Sequence, residues 1–244
     1  MRGDRFHRPL LAMPDLDRSA TPLWTLPLSI ALLFLGAVHL AWWLSVQAGH
    51  IPACMPYWEG CVSISRAARH GLGNHLFRLA VLPCATLHLL NWWLARAWLR
   101  EPGSGRDPAG AVLFILGASS ALALAIYAAF LGTEGEMYRF LRRYGVVVYF
   151  GCGYLAQLMF MRLAKRRGKL TPGIARAMLV VCVAMLGLGL ANVATSLALA
   201  DPALRDRWEN VFEWQLGLLL VAWFVLLAML WKRDGYAMVL LPGR

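Results

Sequence analysis

Apolar residues gather into six long runs, at about 21–44, 77–99, 109–131, 145–163, 175–200 and 211–231, with short polar stretches between them. A hydrocarbon layer about 30 Å thick takes about 20 helical residues to cross. Inside lipid each backbone N–H and C=O must be paired within its own segment. The pattern therefore predicts an all-α polytopic membrane protein with six transmembrane helices. The connections leave no room for a soluble catalytic domain, so function has to be built from helix faces and the connections themselves.

The polar stretches divide the chain into a tail over 1–20, a six-helix domain over 21–231 and a second tail over 232–244. The first apolar run, about 24 residues long and without an A-x-A-like exit, is expected to stay as a span rather than be cleaved as a signal peptide. The longest connection covers 45–76. The next, R-E-P-G-S-G-R-D-P, is rich in turn formers. The connection G-T-E-G-E-M-Y-R-F-L-R-R-Y-G sets Met137, Phe140 and Leu141 among basic residues and predicts a short helix lying in the membrane interface. Asp201-Pro202 predicts a helix start.

Charge orients these spans. Basic residues crowd one set of connections, above all the cluster Arg162, Lys165, Arg166, Arg167 and Lys169, with Lys232 and Arg233 in the second tail. The positive-inside rule then predicts both ends in the cytoplasm, N-in and C-in, with 45–76 outside. The net charge of +11 is spread beside apolar runs rather than collected in a polar domain. That distribution suits anionic lipid headgroups and argues against a nucleic-acid partner. Hydrophobic residues make up 59% and charged residues 15%, against about 25% charged in soluble domains. Trp24, Trp42, Trp43, Trp92, Trp93, Trp98, Trp208, Trp214 and Trp231 lie near run ends, where indole rings anchor at the headgroup level.

Cys84, Cys152 and Cys182 fall within apolar runs and read as small hydrophobes. Cys54 and Cys61 fall in the outer connection, where an oxidising compartment permits a disulfide. A metal or redox pair would call for C-x-x-C spacing, which they lack.

Polar groups at membrane depth are the functional suspects. Three groups converge on the outer side. Ser63, Ser65, Arg69, His70 and Arg78 lie on the approach to the second run, with Arg66 and His75 among them. Glu134, Glu136, Arg142 and Arg143, with Arg139, lie before the fourth. Glu209 and Glu213, four residues apart, share one face of the last helix. Guanidinium groups suit phosphate and carboxylates can act as acid or base, so the set fits a phospholipid headgroup. The competing reading is a rim of charges that pair with each other, for example Glu213 with Arg78 or Arg142, and do no chemistry. His39 and His88 read as interhelical hydrogen-bonding groups rather than haem ligands. No metal or cofactor motif is present, and neither H-E-x-x-H nor G-x-S-x-G occurs. Ser63 or Ser65 with His70 or His75 is a nucleophile–base pairing that the sequence leaves open.

The run C-V-S-I-S-R-A-A-R-H-G from Cys61, followed by N-H-L-F-R-L-A, resembles a six-helix superfamily. It includes the DRAM-type autophagy modulators, the fibroblast-growth-factor-receptor activating membrane proteins and the eukaryotic factors that remodel GPI-anchor lipids. Ser63, Ile64, Ser65, Gly71, Phe77 and Arg78 carry the resemblance. Downstream, Leu82-Pro83-Cys84 and His88 depart from the histidine and proline-arginine of the GPI factors. The resemblance implies six helices with both ends inside, and the plain, arginine-rich tails suit a bacterial inner-membrane relative, for which the family supplies fold rather than activity. The expectation is a protein that recognises or handles a lipid headgroup at the outer leaflet. The alternative is a non-catalytic scaffold or regulator that binds another membrane protein. Whether any reaction takes place is left open.

Overall fold

The computed structural model describes residues 20–101, 103 and 105–239. Of the two predicted tails, residues 1–19 and 240–244 lie outside the described residues. The described residues form α1 (Thr25–Gln47), α2 (Pro56–Glu59), α3 (Ile64–Ala67), α4 (Gly71–Leu99), α5 (Pro108–Phe130), α6 (Glu136–Arg166), α7 (Pro172–Ala198) and α8 (Pro202–Arg233). Two short strands, β1 (Ala20–Pro22) and β2 (Ala237–Val239), flank them. The fold is all-α. Five helices, α1, α5, α6, α7 and α8, are long and apolar enough to cross a membrane. The remaining apolar run, the second, lies in α4, whose 29 residues include Arg78, His88, Asn91 and Arg96, and polar content keeps it out of that group.

Helix boundaries follow local chemistry. Asp107 and Asp201 each accept a backbone N–H of the first turn and precede a proline at the first helical position, starting α5 and α8. Ser63 caps α3 in the same way. The basic stretch 136–144 is not a separate interfacial helix. It continues without a break into α6, because no proline or further glycine turn interrupts it before Gly145, itself helical.

Neighbouring helices follow the order α7, α8, α1, α4, α5, α6. α1 and α4 run antiparallel along their whole length. The start of α4 meets the end of α1 at Gly73 and Ala41, and Cys84 donates to the Ile30 carbonyl midway. At the other end of α4, the Trp98 indole donates to Asp234, just past α8, at 2.6 Å. β1 pairs antiparallel with β2, Thr21 opposite Met238, so both ends of the described chain sit at one end of the bundle, here the terminal end. Arg167 closes on Asp107 at 3.3 Å there, and Lys169 lies 4.6 Å over the Trp98 ring. The 48–70 connection marks the opposite, loop end.

The core corrects the reading of the tryptophans. Trp92, Trp98, Trp214 and Trp231 are buried, whereas Trp43, Trp93 and Trp208 are exposed. Consecutive Trp92 and Trp93 point to different faces of α4: Trp92 is 0% exposed against Gly117, while Trp93 is 53% exposed. Trp92, Trp223, Phe160 and Trp98 pack in series at centroid distances of 5.6, 5.8 and 5.7 Å, tilted, edge-to-face and stacked in turn. Gly117 is the small residue that lets α5 approach this stack; a Cβ there would run into the Trp92 ring. Gly187 of α7 has open space around it instead.

α6 and α7 meet over a much shorter stretch than the other neighbouring pairs. Their contact lies toward the terminal end, where Cys182 reaches Gln157 and Met161. The buried residues of α7 are Met178, Val181, Cys182 and Met185, all in its first half. Toward the loop end the two helices part.

Candidate functional site

The 48–70 connection is held to α8 by side chains that donate to its backbone carbonyls. Arg207 Nε bonds Glu59, Asn210 Nδ2 bonds Gly60, Trp214 Nε1 bonds Val62 and Gln215 Nε2 bonds Tyr57, at 2.9, 2.8, 2.9 and 3.2 Å. Each satisfies a carbonyl that would otherwise be stranded in a packed, irregular segment. Gly60 takes the left-handed φ of +63° that ends α2, and a Cβ there would strike the Arg207 carbonyl. Arg66 adds an ion pair to Asp206 at 2.7 Å and a bond to Asn210 at 2.9 Å. Cys54 and Cys61 sit at disulfide distance in this connection, with Cα atoms 6.6 Å apart.

Clamping the connection sets Ser65 between α5 and α8. Its hydroxyl meets the Tyr127 hydroxyl at 2.8 Å, and its N–H donates to Glu213 at 3.4 Å. Asn74 then ties the next turn to the end of α5, its Nδ2 donating to Ala68 and Leu131 carbonyls at 2.9 and 3.0 Å. Arg142 of α6 donates to the Phe130 and Thr133 carbonyls, at and just past the partly negative end of α5.

These elements surround a cavity of about 980 Å³ in the gap between α6, α7 and α8. Ser65, Arg69 and Tyr127 line one part of it, Glu209 and Glu213 of α8 another, and Asn192 comes from α7. α6 supplies Glu136, Arg139, Arg142 and Arg143 together with Phe140, Tyr144, Val146 and Val147. The cavity is thus charged toward the loop end and edged by apolar α6 side chains.

Seven sequence candidates therefore meet in one place: Ser65, Arg69, Glu136, Arg142, Arg143, Glu209 and Glu213. Four do not line it. Ser63 caps α3, accepting the Arg66 N–H at 3.1 Å. The His70 ring stands 5.4 Å from that of His50. Arg78 is half-buried on α4, and Glu134 is exposed in the turn before α6. Tyr127 and Asn192 join the site although the sequence reading did not single them out as site residues. A phenol hydroxyl close to the end of an apolar run is the signal Tyr127 offered.

The charges do not cancel as ion pairs. Glu136 lies 3.9 Å from Arg139 on the exposed rim. Among the described residues, neither Glu209 nor Glu213 forms an ion pair, and neither do Arg69, Arg142 or Arg143. The expected Glu213 pairing with Arg78 or Arg142 is replaced by the Ser65 N–H, and Glu209 accepts the Ser196 hydroxyl at 3.1 Å. Arg69 Nε and Asn192 Oδ1 are buried without a hydrogen-bond partner among the described residues. Such groups gain from a ligand that supplies the missing partner.

The nucleophile–base pairing that the sequence leaves open is not formed among the described residues. Ser65 bonds a phenol rather than a base, and no hydrogen bond joins Ser63 or Ser65 to His70 or His75 among the described residues. No group of three or more metal-ligating side chains occurs among the described residues. His39 and His88 are held by protein groups: His39 by the Leu35 carbonyl and the Tyr57 hydroxyl, His88 by Trp92 and Ser120. Comparison of the chain with protein families, curated proteins and solved structures finds no match.

Proposed function

We propose that this chain is a six-span integral membrane protein, N-in and C-in, that recognises a phospholipid headgroup at the outer leaflet of a bacterial inner membrane. Two features support six spans. The β1–β2 ladder leaves both ends of the described residues on one side, which favours an even number of crossings between them. α4 supplies the sixth, lying antiparallel beside α1 with its polar residues turned largely inward: His88 and Asn91 are buried. The orientation follows from Arg162, Lys165, Arg166, Arg167 and Lys169 at the terminal end.

The observation that carries the lipid reading is the cavity itself. Its arginines and carboxylates sit where α6 and α7 part, and the neighbouring outer faces are apolar, with Val147, Val148, Leu190 and Val193 exposed. A headgroup entering from the side would meet the charges while its acyl chains stayed in the bilayer against those faces. A photoreactive phospholipid should then crosslink to 140–147 and 190–193. Crosslinks spread evenly over all helices would remove the reading.

One observation favours the scaffold alternative. α7 turns Val180, Val183, Leu186 and Leu190 outward, and Gly187 and Gly189 among them have open space around them. Small residues of this kind let a partner helix approach closely. Recovery of one partner protein, lost on Gly187→Leu, would support it; a chain purified alone and active in lipid retention would not.

A further inference from the structure

Resting on the lipid reading above, we infer that the cavity selects a phosphodiester headgroup carrying a primary ammonium, the phosphoethanolamine type, over a purely anionic one. The two signs of charge are brought in by different elements. Arg69 comes from the turn before α4, and Arg142 and Arg143 from α6, whereas Glu209 and Glu213 come from α8. Within one cavity of about 980 Å³, these five groups form no ion pair with each other.

Charges of opposite sign in a site bordered by lipid are costly when each lacks a counter-charge. A ligand with one negative and one positive group, a few bonds apart, would bridge the two sets. The phosphodiester takes the guanidinium side, where Arg69 Nε is buried without a partner among the described residues. Planar guanidinium groups match phosphate oxygens in fork geometry. The ammonium takes the carboxylate side. These carboxylates accept from protein donors, Glu213 from the Ser65 N–H at 3.4 Å and Glu209 from Ser196 Oγ at 3.1 Å, and two carboxylate oxygens each leave acceptor capacity to spare. An ammonium has three donors to place, which favours it over a quaternary amine with none. A headgroup that is only anionic would satisfy the arginines and leave Glu209 and Glu213 facing added negative charge.

The test reconstitutes the full chain in nanodiscs of equal phosphatidylethanolamine and phosphatidylglycerol, extracts it in mild detergent and measures the lipid retained by native mass spectrometry. Phosphatidylethanolamine should be retained over phosphatidylglycerol by about tenfold, equivalent to about 1.4 kcal/mol. The double variant Glu209→Gln, Glu213→Gln should keep bound phospholipid yet lose the preference. Equal retention of both lipids by the native chain, or a preference that survives in the double variant, overturns the selectivity while leaving lipid binding intact. A native chain that retains no phospholipid overturns the lipid reading as well. Soluble glycerophosphoethanolamine at millimolar concentration should leave the retained lipid in place; displacement would overturn the lipid as the source of the headgroup.

Discussion

The hydroxyl groups of Ser65 and Tyr127 stand 2.8 Å apart, joining α3 to the last turns of α5. The same Ser65 donates its N–H to Glu213 of α8, so one residue fixes the relation of three elements around the cavity. Either Ser65→Ala or Tyr127→Phe should lower stability by about 0.5–1.5 kcal/mol, the usual net worth of such a bond. Combined, they should cost less than the sum, because both remove the same contact. Thermal unfolding of the three variants in one detergent checks this; strict additivity would show that the hydroxyls do not interact.

The clamp between the 48–70 connection and α8 depends on Asn210, whose Nδ2 bonds the Gly60 carbonyl and whose Oδ1 accepts from Arg66. Asn210→Ala strands the Gly60 carbonyl and takes one partner from Arg66, which keeps Asp206, and should cost about 1–3 kcal/mol. Gly60→Ala should be at least as harmful, since its left-handed φ is unfavourable for other residues and the Arg207 carbonyl occupies the Cβ position. Limited proteolysis should then cut within 48–62 before any other site. A protease pattern unchanged in both variants would refute the clamp.

Two glycines on apolar helices should answer differently to the same change. Gly117→Ala drives a methyl group into the Trp92 ring and should destabilise by about 1–3 kcal/mol. Gly187→Ala, with nothing within 4 Å of its Cβ position, should stay within about 0.5 kcal/mol of the native chain. Equal effects in the melting temperature would contradict the packing described.

Orientation has a separate readout. The Lys169→Cys variant should react with a membrane-impermeant maleimide at that position only after the cytoplasmic face is opened. Cys54 and Cys61 should resist alkylation until reductant is added, and Cys54→Ser should cost about 2–3 kcal/mol for a loop this short. Labelling of the Lys169→Cys variant from outside would reverse the topology and place the Cys54–Cys61 pair in a reducing compartment.

Much of this architecture was legible in the sequence because its signals are local. Apolar run length marked the helices, Asp201-Pro202 marked a helix start, and the four-residue spacing of Glu209 and Glu213 put both on one face, where both line the cavity. Other features depend on register between distant segments, which no local pattern carries. Trp92 and Trp93 look alike in sequence, yet only the rotation of α4 against Gly117 buries one and exposes the other. Arg142 and Arg78 looked equally suited to pair with Glu213. Arg142 instead donates to two carbonyls at the close of α5, and Arg78 emerged on a face that does not line the cavity. The stretch 136–144 looked interfacial because Met137, Phe140 and Leu141 sit among basic residues, but its backbone had no reason to stop before the span.

The central claim is that the arginines of the cavity hold a phospholipid. Its most direct test is native mass spectrometry of the chain extracted in mild detergent, compared with the double variant Arg69→Ala, Arg143→Ala. Both residues line the cavity, and neither side chain caps a helix or forms an ion pair among the described residues, so the fold should survive their loss. A bound phospholipid is expected on the native chain, and its loss, by about tenfold or more, from the variant. A variant that folds and retains phospholipid as well as the native chain does would contradict the claim.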